Sequence, residues 1–525
     1  MHEAGYYSWS FFSLYYIMIS GGRNMEFILI ILSSILFTAP YYYPALFFLS
    51  WFAFIPLIYL VNDYDYSHSF IIALLIGFLN SVFSLHWLYQ PLNTALKMPF
   101  SFNLVILFIY FLFSALPLAG WVIINKFLQP QNSYSPFIAA LSWTVLEYFR
   151  FEFFNFNPFN YFAYTQSAFP LVVQYAGYGG VFLVSFITVL FASYLVKIYL
   201  EPAWKKIVPL ILIFIVVAAV PFFTKTDLEA NISRQKVDLL VADSVRDDSF
   251  FDKIAKEIDN LTDLVKKSKN EVIFMPEKSI SFDLIRNNYY RDQLFSRLKE
   301  SLGTSYLQLG AAAAKDQNYQ AEVFNSLFLF SGDMKMIKRT NKQGNIMSGI
   351  NFPYLKEINR LMADYLNYKP DLLKQPVSAA EIDVKNIAYI NLFAEEIFIP
   401  VVNKKNNQIQ DMNLIVNVAA EEKAASKVYN NLSFAAAVFR AAESRTDLIR
   451  AVSGGLSGYI NERGKVLAKT ELVNDILPIN LTLRKETSYY QKYPLRIIKI
   501  IIAIFILIVI IKSIAVIKNK WSSRN

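Results

Sequence analysis

Apolar residues in this chain are gathered into runs long enough to cross a bilayer. A span needs about 20 such residues to cover about 30 Å of hydrocarbon. Runs begin at residues 25–37, 43–61, 69–88 and 102–124, the last broken by Pro117. A weaker run at 136–149 carries Glu147, with Arg150 just after it, and strong ones follow at 171–196 and 207–223. The last, 497–517, is interrupted by Lys499 and Lys512. The expectation is about eight spans. Residues 225–493, between the seventh and the eighth, have ordinary globular composition. With 55% hydrophobic and 17% charged residues overall, a wholly soluble fold would lack the polar surface it needs. The domains expected are therefore a membrane domain of about seven helices at 25–223, a soluble domain at 225–493, and a C-terminal transmembrane helix with its tail at 494–525. Residues 1–24 hold a short aromatic run ended by Gly21 and Gly22, with no basic n-region before it. They read as an upstream extension, with Met25 as the natural start.

Positive residues set the orientation. Lys197, Lys205 and Lys206 lie between the sixth and seventh runs, and Lys518, Lys520 and Arg524 follow the eighth. Both groups belong on the cytoplasmic side, which turns the soluble domain outward. In a Gram-negative cell this means a multi-pass protein of the bacterial inner membrane with its soluble domain in the periplasm. Lys492, Arg496 and Lys499 on the outward side oppose that signal. The net charge of +9 is read as lysine and arginine facing anionic lipid, and no nucleic-acid-binding signature accompanies it. The chain has no cysteine and three histidines, His2, His68 and His86. That excludes disulfides, thiolate metal sites and a cysteine nucleophile. Without a His-x-x-x-His pair, neither a metal nor another cofactor is expected.

The soluble segment alternates strand and helix patterns. Strands are expected at 236–241, 271–275, 306–312, 323–330, 386–393 and 413–418, with closing strands at 449–453 and 458–460. Helices are expected at 251–267, 289–302 and 426–445. This order implies a layered α/β domain.

Several motifs then line up. VIFMPE, ending at Glu277, is similar to the nitrilase (carbon–nitrogen hydrolase) strand that ends in Trp-Pro-Glu, with Met275 in place of Trp. FNSLFLFSGDMKMIKR, from Phe324 to Arg339, resembles the segment running from Tyr-Asn-Ser to a catalytic lysine, which falls on Lys338. FRAAESRTDLIRAVSGGLSGYINERGKV resembles the Arg-Ala-x-Glu helix and the Gly-x-Ser strand, here Arg440, Glu443, Arg450, Gly455 and Ser457. In the membrane part, WTVLEYFR resembles Trp-x-x-x-Glu-x-x-Arg, with Trp143, Glu147 and Arg150 as binding residues. Asn157-Pro158-Phe159, His86-Trp87 and the glycines Gly177 and Gly180 after Gln174 agree with it. From Met25 onward the chain resembles the bacterial apolipoprotein N-acyltransferases. The resemblance implies a nitrilase-like αββα sandwich on a multi-pass α-helical membrane domain. It also implies phospholipid and lipoproteins or lipopeptides as partners.

That family moves an acyl chain from phospholipid to the N-terminal cysteine of a lipoprotein, through a thioester on an enzyme cysteine. The resemblance gives Glu277 the general-base role and Lys338 the oxyanion role. Ile-Cys-Tyr-Glu of the family falls on Leu392, Phe393, Ala394 and Glu395. Phe393 therefore stands at the nucleophile position, and a phenyl ring forms no acyl intermediate. The segment Thr340 to Gly349 also lacks the carboxylate that follows the family's lysine. Three functions stay open. The chain is a non-catalytic homologue; or it is an acyltransferase using Ser453, Ser457 or direct transfer with Glu277 as base; or it is a membrane scaffold or transport protein.

Overall fold

The computed structural model describes residues 22–94, 99–129, 135–152, 157–202, 205, 207–223, 233–241, 249–318, 322–342, 382–400, 412–422, 424, 426–471, 474–484 and 487–522. The N-terminal extension and most of the segment after Lys342 lie outside these residues.

Helix α1 spans Gly22–Tyr42. A 3-10 stretch, Pro44–Phe52, leads into α2, Phe54–Val61. Next come α3, Tyr66–Leu85, and α4, Phe100–Leu128. α5 is Pro136–Glu152, α6 is Ala176–Leu200 and α7 is Ile207–Phe223. Among the described residues six helical stretches are long and apolar enough to cross a membrane, the sixth being 496–519 near the C-terminus. Two of the eight runs expected from sequence, α5 and α7, form helices of 17 residues each, at the short end of the span range. α4 is not broken at Pro117 but runs through it. A bundle can hold a proline helix together because neighbouring helices restrain it. Gly77 of α3 lets α4 come close: a Cβ there would sit 3.0 Å from Ala115. The expected run at 171–196 also changes shape. α6 carries non-helical backbone at Gly179 and Gly180, and Gly180 has φ +66°, a conformation that favours glycine.

The α/β domain is built from two sheets. The first runs β13–β1–β2–β4–β5–β6, with β3 beside β4. Its strands are β1 Ser233–Val241, β2 Val272–Phe274, β3 Ile280–Asp283, β4 Tyr306–Ala314, β5 Val323–Phe330, β6 Met336–Asn341 and β13 Asp475–Leu483. The second runs β12–β11–β10–β9–β8–β7. Those strands are β7 Ile382–Val384, β8 Ile387–Phe393, β9 Leu414–Ala420, β10 Asp447–Ser453, β11 Ser457–Ile460 and β12 Val466–Thr470. β1, β2 and β4 pair in parallel, as do β8, β9 and β10. Val237, Phe274, Leu327 and Leu329 of one sheet share a core with Tyr389, Val416 and Ile449 of the other.

Helices cover both outer faces. α8, Phe250–Lys267, and α9, Asn288–Leu302, pack on the first sheet through Ile254, Ile258, Leu261, Leu294 and Leu298. The spacing of these residues gives each helix one apolar stripe. α10, Lys427–Ser444, is buried along nearly its whole length. It fills the space between the second sheet and the membrane helices, in one continuous core. Its run of small residues, Ala435–Ala436–Ala437, suits contact on two sides. Asn431 donates from Nδ2 to the carbonyls of Tyr41 (3.1 Å) and Tyr42 (2.9 Å), groups left over at the C-terminal end of α1. α11, Arg496–Ser522, closes the chain. The molecule is thus a helical membrane domain carrying an α/β sandwich of αββα layers.

One carboxyl inside the sandwich makes stability depend on pH. Asp447 accepts from the Tyr459 hydroxyl and, at 3.0 Å, from the Glu462 N–H. Burial pushes its pKa up to about 7, with Glu462 adding to the rise. A carboxyl raised in the folded state stabilises fully below its unfolded pKa, and that contribution is lost as pH rises through the folded value. The Asp447→Asn variant is therefore expected to be the more stable protein at pH 8. The advantage should shrink by about 1 kcal/mol per pH unit between pH 7 and pH 5. Parallel thermal melts of the two proteins check this, and a pH-independent difference refutes it.

Candidate functional site

The strand VIF (β2) is buried on every residue, and the chain turns sharply at Pro276. Glu277 follows, 2% exposed. Lys278, the next residue, has φ +58°. The turn packs against Gly310 of β4, where a Cβ would lie 2.3 Å from the Pro276 carbonyl oxygen and 2.9 Å from the Glu277 Cα. Glycine at 310 is what allows the turn to sit there.

Three further residues meet Glu277. Asn325 of β5 donates from Nδ2 to Glu277 Oε1. Lys342, just past β6, donates from Nζ to the same oxygen at 3.2 Å and to Glu395 Oε2 at 3.3 Å. The side chains of Lys342 and Glu395 are 15% and 11% exposed. Burial alone would lower the Lys342 pKa, but the carboxylates of Glu277, Glu395 and Glu396 outweigh it and hold the ammonium charged. Burial raises the Glu395 carboxyl, and Lys342 opposes the rise. The cluster is one ammonium between two carboxylates, with one buried oxygen, Glu277 Oε2, left without a hydrogen-bond partner among the described residues.

Lys338, the lysine expected here, is exposed on β6. β6 pairs with β5 so that Thr340 faces Leu327 and Lys338 faces Leu329. Strand alternation thus puts 338, 340 and 342 on one face, but Lys338 stands four residues earlier, about 13 Å along the strand. The lysine that meets Glu277 is Lys342. Alternation alone does not tell the two lysines apart, since 338 shares that face; the register of β6 on β5 does.

Phe393 ends β8 and is fully buried. Its ring belongs to the core between the sheets, with Phe274, Leu327, Leu329 and Val418. Its N–H donates to Glu396 Oε2 at 2.8 Å. Ala394, immediately after, has φ +32°, a costly backbone for a residue with a Cβ. This tight turn brings Glu395 round to Lys342. Glu277, Glu395 and Phe393 thus lie on neighbouring strand ends.

The other named residues stand apart from this cluster. Ser457 Oγ donates to the Val452 carbonyl at 3.1 Å and accepts from the Val452 N–H at 3.0 Å. Arg450 is fully buried, bonded to Asn417, Glu421 and Ser433. A Cβ on Gly455 would lie 2.2 Å from Glu421 Oε2. Glu421, absent from the sequence reading, completes that group. Trp143, Glu147 and Arg150 sit on α5 inside the helical bundle. Glu147 Oε1 accepts from the Phe162 N–H at 2.7 Å. Arg150 donates from Nη1 to Asn160 Oδ1 at 3.3 Å and lies over the Tyr161 ring.

Together these features define a polytopic membrane protein whose docked α/β domain carries an acid–base cluster at its strand ends. Residues 33–194 match the model of the apolipoprotein N-acyltransferase N-terminal domain. The chain is 24% identical over 493 residues to an apolipoprotein N-acyltransferase of Geobacter metallireducens, covering 89% of this chain and 91% of that one. With the enzyme of the same name from Wigglesworthia glossinidia brevipalpis it shares 22% identity over 413 residues, 75% of this chain and 79% of the relative. Among solved structures, a nitrilase-superfamily amidase mutant from Nesterenkonia AN1 aligns with TM-score 0.33 and 13% identity, over 52% of this chain and 98% of that one. The NitFhit protein of C. elegans aligns with TM-score 0.33 and 14% identity, over 52% and 65%. At such scores these structures add nothing to the layer order described above. The chain is similar to the apolipoprotein N-acyltransferases over most of its length, and it is so without a cysteine anywhere in its sequence.

Proposed function

We propose that this protein is a non-catalytic member of its family, one that binds phospholipid or a lipopeptide without transferring an acyl chain. The observation that carries this reading is Phe393. A phenyl ring ends the strand where the family's nucleophile stands, and it is packed into the core rather than held free. The base and cation that would serve a nucleophile, Glu277 and Lys342, instead bond to each other. Such pairing keeps either charge from being buried alone. Both relatives bear the name of the acyltransferase, so membrane lipid and lipoprotein are the ligands to try first. Ser457 as nucleophile is disfavoured, because its Oγ is engaged on both sides by the Val452 backbone.

The test is binding set against turnover. Full-length protein in lipid nanodiscs is titrated with a fluorescent diacylglyceryl lipopeptide. Saturable binding with no N-acylated product is expected. Product formation that disappears in Glu277→Gln overturns the reading.

We place the α/β domain outside the cytoplasm, in the periplasm of a bacterial inner membrane, on the strength of Lys205, Lys518 and Lys520. A periplasm-dependent reporter fused after Leu302 is expected to be active, and one fused after Asn525 inactive. The reverse pattern refutes the orientation.

A further inference from the structure

The helical bundle forms a partly open cavity of about 50 Å³ beside Glu147 and Arg150, with Asn80, Ser114 and Asn160 also on its wall. Glu147 is 3% exposed and Arg150 9%. Their hydrogen bonds to the protein are incomplete. Among the described residues, Glu147 Oε2 and the Nε and Nη2 groups of Arg150 are buried without a well-formed hydrogen bond, with the Ser185 hydroxyl and the Trp143 N–H facing Glu147. Among the described ion pairs none joins the two residues directly, although they lie three apart on α5. Burying charged groups with unmade hydrogen bonds at membrane depth is costly. Something polar and small must complete them.

We propose that this cavity is a built hydration site, in which a cluster of water molecules bridges the Glu147 carboxylate to the Arg150 guanidinium. One water requires about 10–15 Å³ measured in this way, so roughly three or four fit. A buried water makes about three hydrogen bonds. The open atoms of Glu147 and Arg150, with the amides of Asn80 and Asn160 and the Ser114 hydroxyl, supply enough partners. The pair as a whole is neutral, which suits no free cation or anion.

The bridged pair has a structural task. Glu147 holds the Phe162 N–H, and Arg150 holds Asn160, which in turn donates to Ser84 Oγ at 3.1 Å. Asn157 donates to Ser114 at 3.1 Å and to Asn160 at 3.0 Å. These bonds fix the segment 157–166 between the helices and the α/β domain. Its Phe159 and Tyr164 rings meet Phe398 at 5.1 and 6.5 Å, three residues beyond Glu395. The hydrated pair therefore acts as a positioning device for the floor under the Glu277–Lys342–Glu395 cluster. This holds whether or not the protein transfers acyl chains.

Hydroxyl-radical footprinting by synchrotron X-rays labels side chains beside ordered water, even buried ones. The full-length protein in nanodiscs is compared with the double variant Glu147→Leu/Arg150→Met, which makes the wall apolar. In the unmodified protein, Tyr41 and Phe162, which line the cavity and are 4% and 3% exposed, should label at least about threefold faster than Tyr110 and Phe159, which are off it and 0% and 1% exposed. The double variant should lose that excess. Equal labelling of the two sets overturns the proposal, as does an excess that survives in the double variant. Should the double variant fail to fold, the comparison within the unmodified protein decides alone. Native mass spectrometry that finds one tightly held phospholipid, lost on Arg150→Met, also overturns it, because a headgroup then occupies the site.

Discussion

Purified protein given phospholipid and a diacylglyceryl lipopeptide is expected to gain no acyl adduct and to release no N-acylated product. Acyl transfer of this type needs a nucleophile that is both ionisable and within reach of its base. Thiolates meet that need at neutral pH far better than unactivated hydroxyls. Phe393 offers neither, and no serine or threonine occurs between Tyr389 and Pro400. A Phe393→Cys variant is the sharper experiment. It restores a thiol at the end of β8, near a base and a cation already in place. Two features oppose full recovery. Removing the ring opens a hole in the core between the sheets, and a Phe truncated to Ala in such a place costs about 3–5 kcal/mol. The chain from Gln343 to Lys356 also contains no carboxylate, so the group that follows the family's lysine is missing even when Lys342 takes that role. The variant should form acyl-enzyme with turnover at least ~100-fold below a cysteine-bearing relative, as expected when one preorganised group is absent. Intact-mass measurement on both proteins checks the pair of results. A palmitoyl adduct on the unaltered protein, or full turnover from the single substitution, sinks the argument.

The parts of this protein that sequence made legible are those whose burial is regular. The run at 323–330 was read with its observed ends, and the helix at 427–444 to within a residue, because both are apolar segments between clear turn residues. Edge strands were missed. Met336–Asn341 presents mostly exposed side chains, so it has no apolar signature. Asp475–Leu483 carries Pro478, which argues against a strand, yet Pro478 sits on the edge strand β13 opposite Asp238, where a missing N–H costs little. Pro117 misled in the same way, since the bundle overrides the local preference for a break. At the site, Glu277 and Glu395 followed from motifs, but the lysine was placed on Lys338. A motif match fixes the neighbourhood, whereas a bond to Glu277 depends on strand register, and register is set by the pairing of β6 with β5. Glu147 and Arg150 lie three apart on α5. The local 3.6-residue repeat puts them on one face. It cannot report that the Phe162 N–H and Asn160, brought in by the segment 157–166, take up part of their hydrogen-bonding capacity.

Replacing Arg440 is expected to cause the largest loss of stability of any single change on α10. Arg440 and Glu443 are both fully buried, with Arg440 Nη2 donating to Glu443 Oε1 at 2.9 Å. The same Glu443 oxygen accepts the Val181 N–H at 2.9 Å, where α6 resumes after its break at Gly180. Negative charge is favourable at such a helix start. Arg440 also reaches toward the Phe398 carbonyl at 3.5 Å. One ion pair thus ties the α/β domain to a membrane helix and to the turn that bears Glu395. Arg440→Met removes the cation and leaves a carboxylate buried without its counter-charge, which typically costs about 3–5 kcal/mol. Lys427 of the same helix is a suitable contrast. It is exposed and lies 4.3 Å from the Tyr43 ring centroid, so Lys427→Met should cost no more than about 1 kcal/mol. Adding Glu443→Gln to Arg440→Met should recover part of the loss, because the orphaned charge goes while the Val181 N–H keeps an acceptor. Thermal unfolding of the four proteins in one detergent decides the matter. If Arg440→Met and Lys427→Met melt alike, or if the second change makes the first worse, the pair is not what holds the two parts of the protein together.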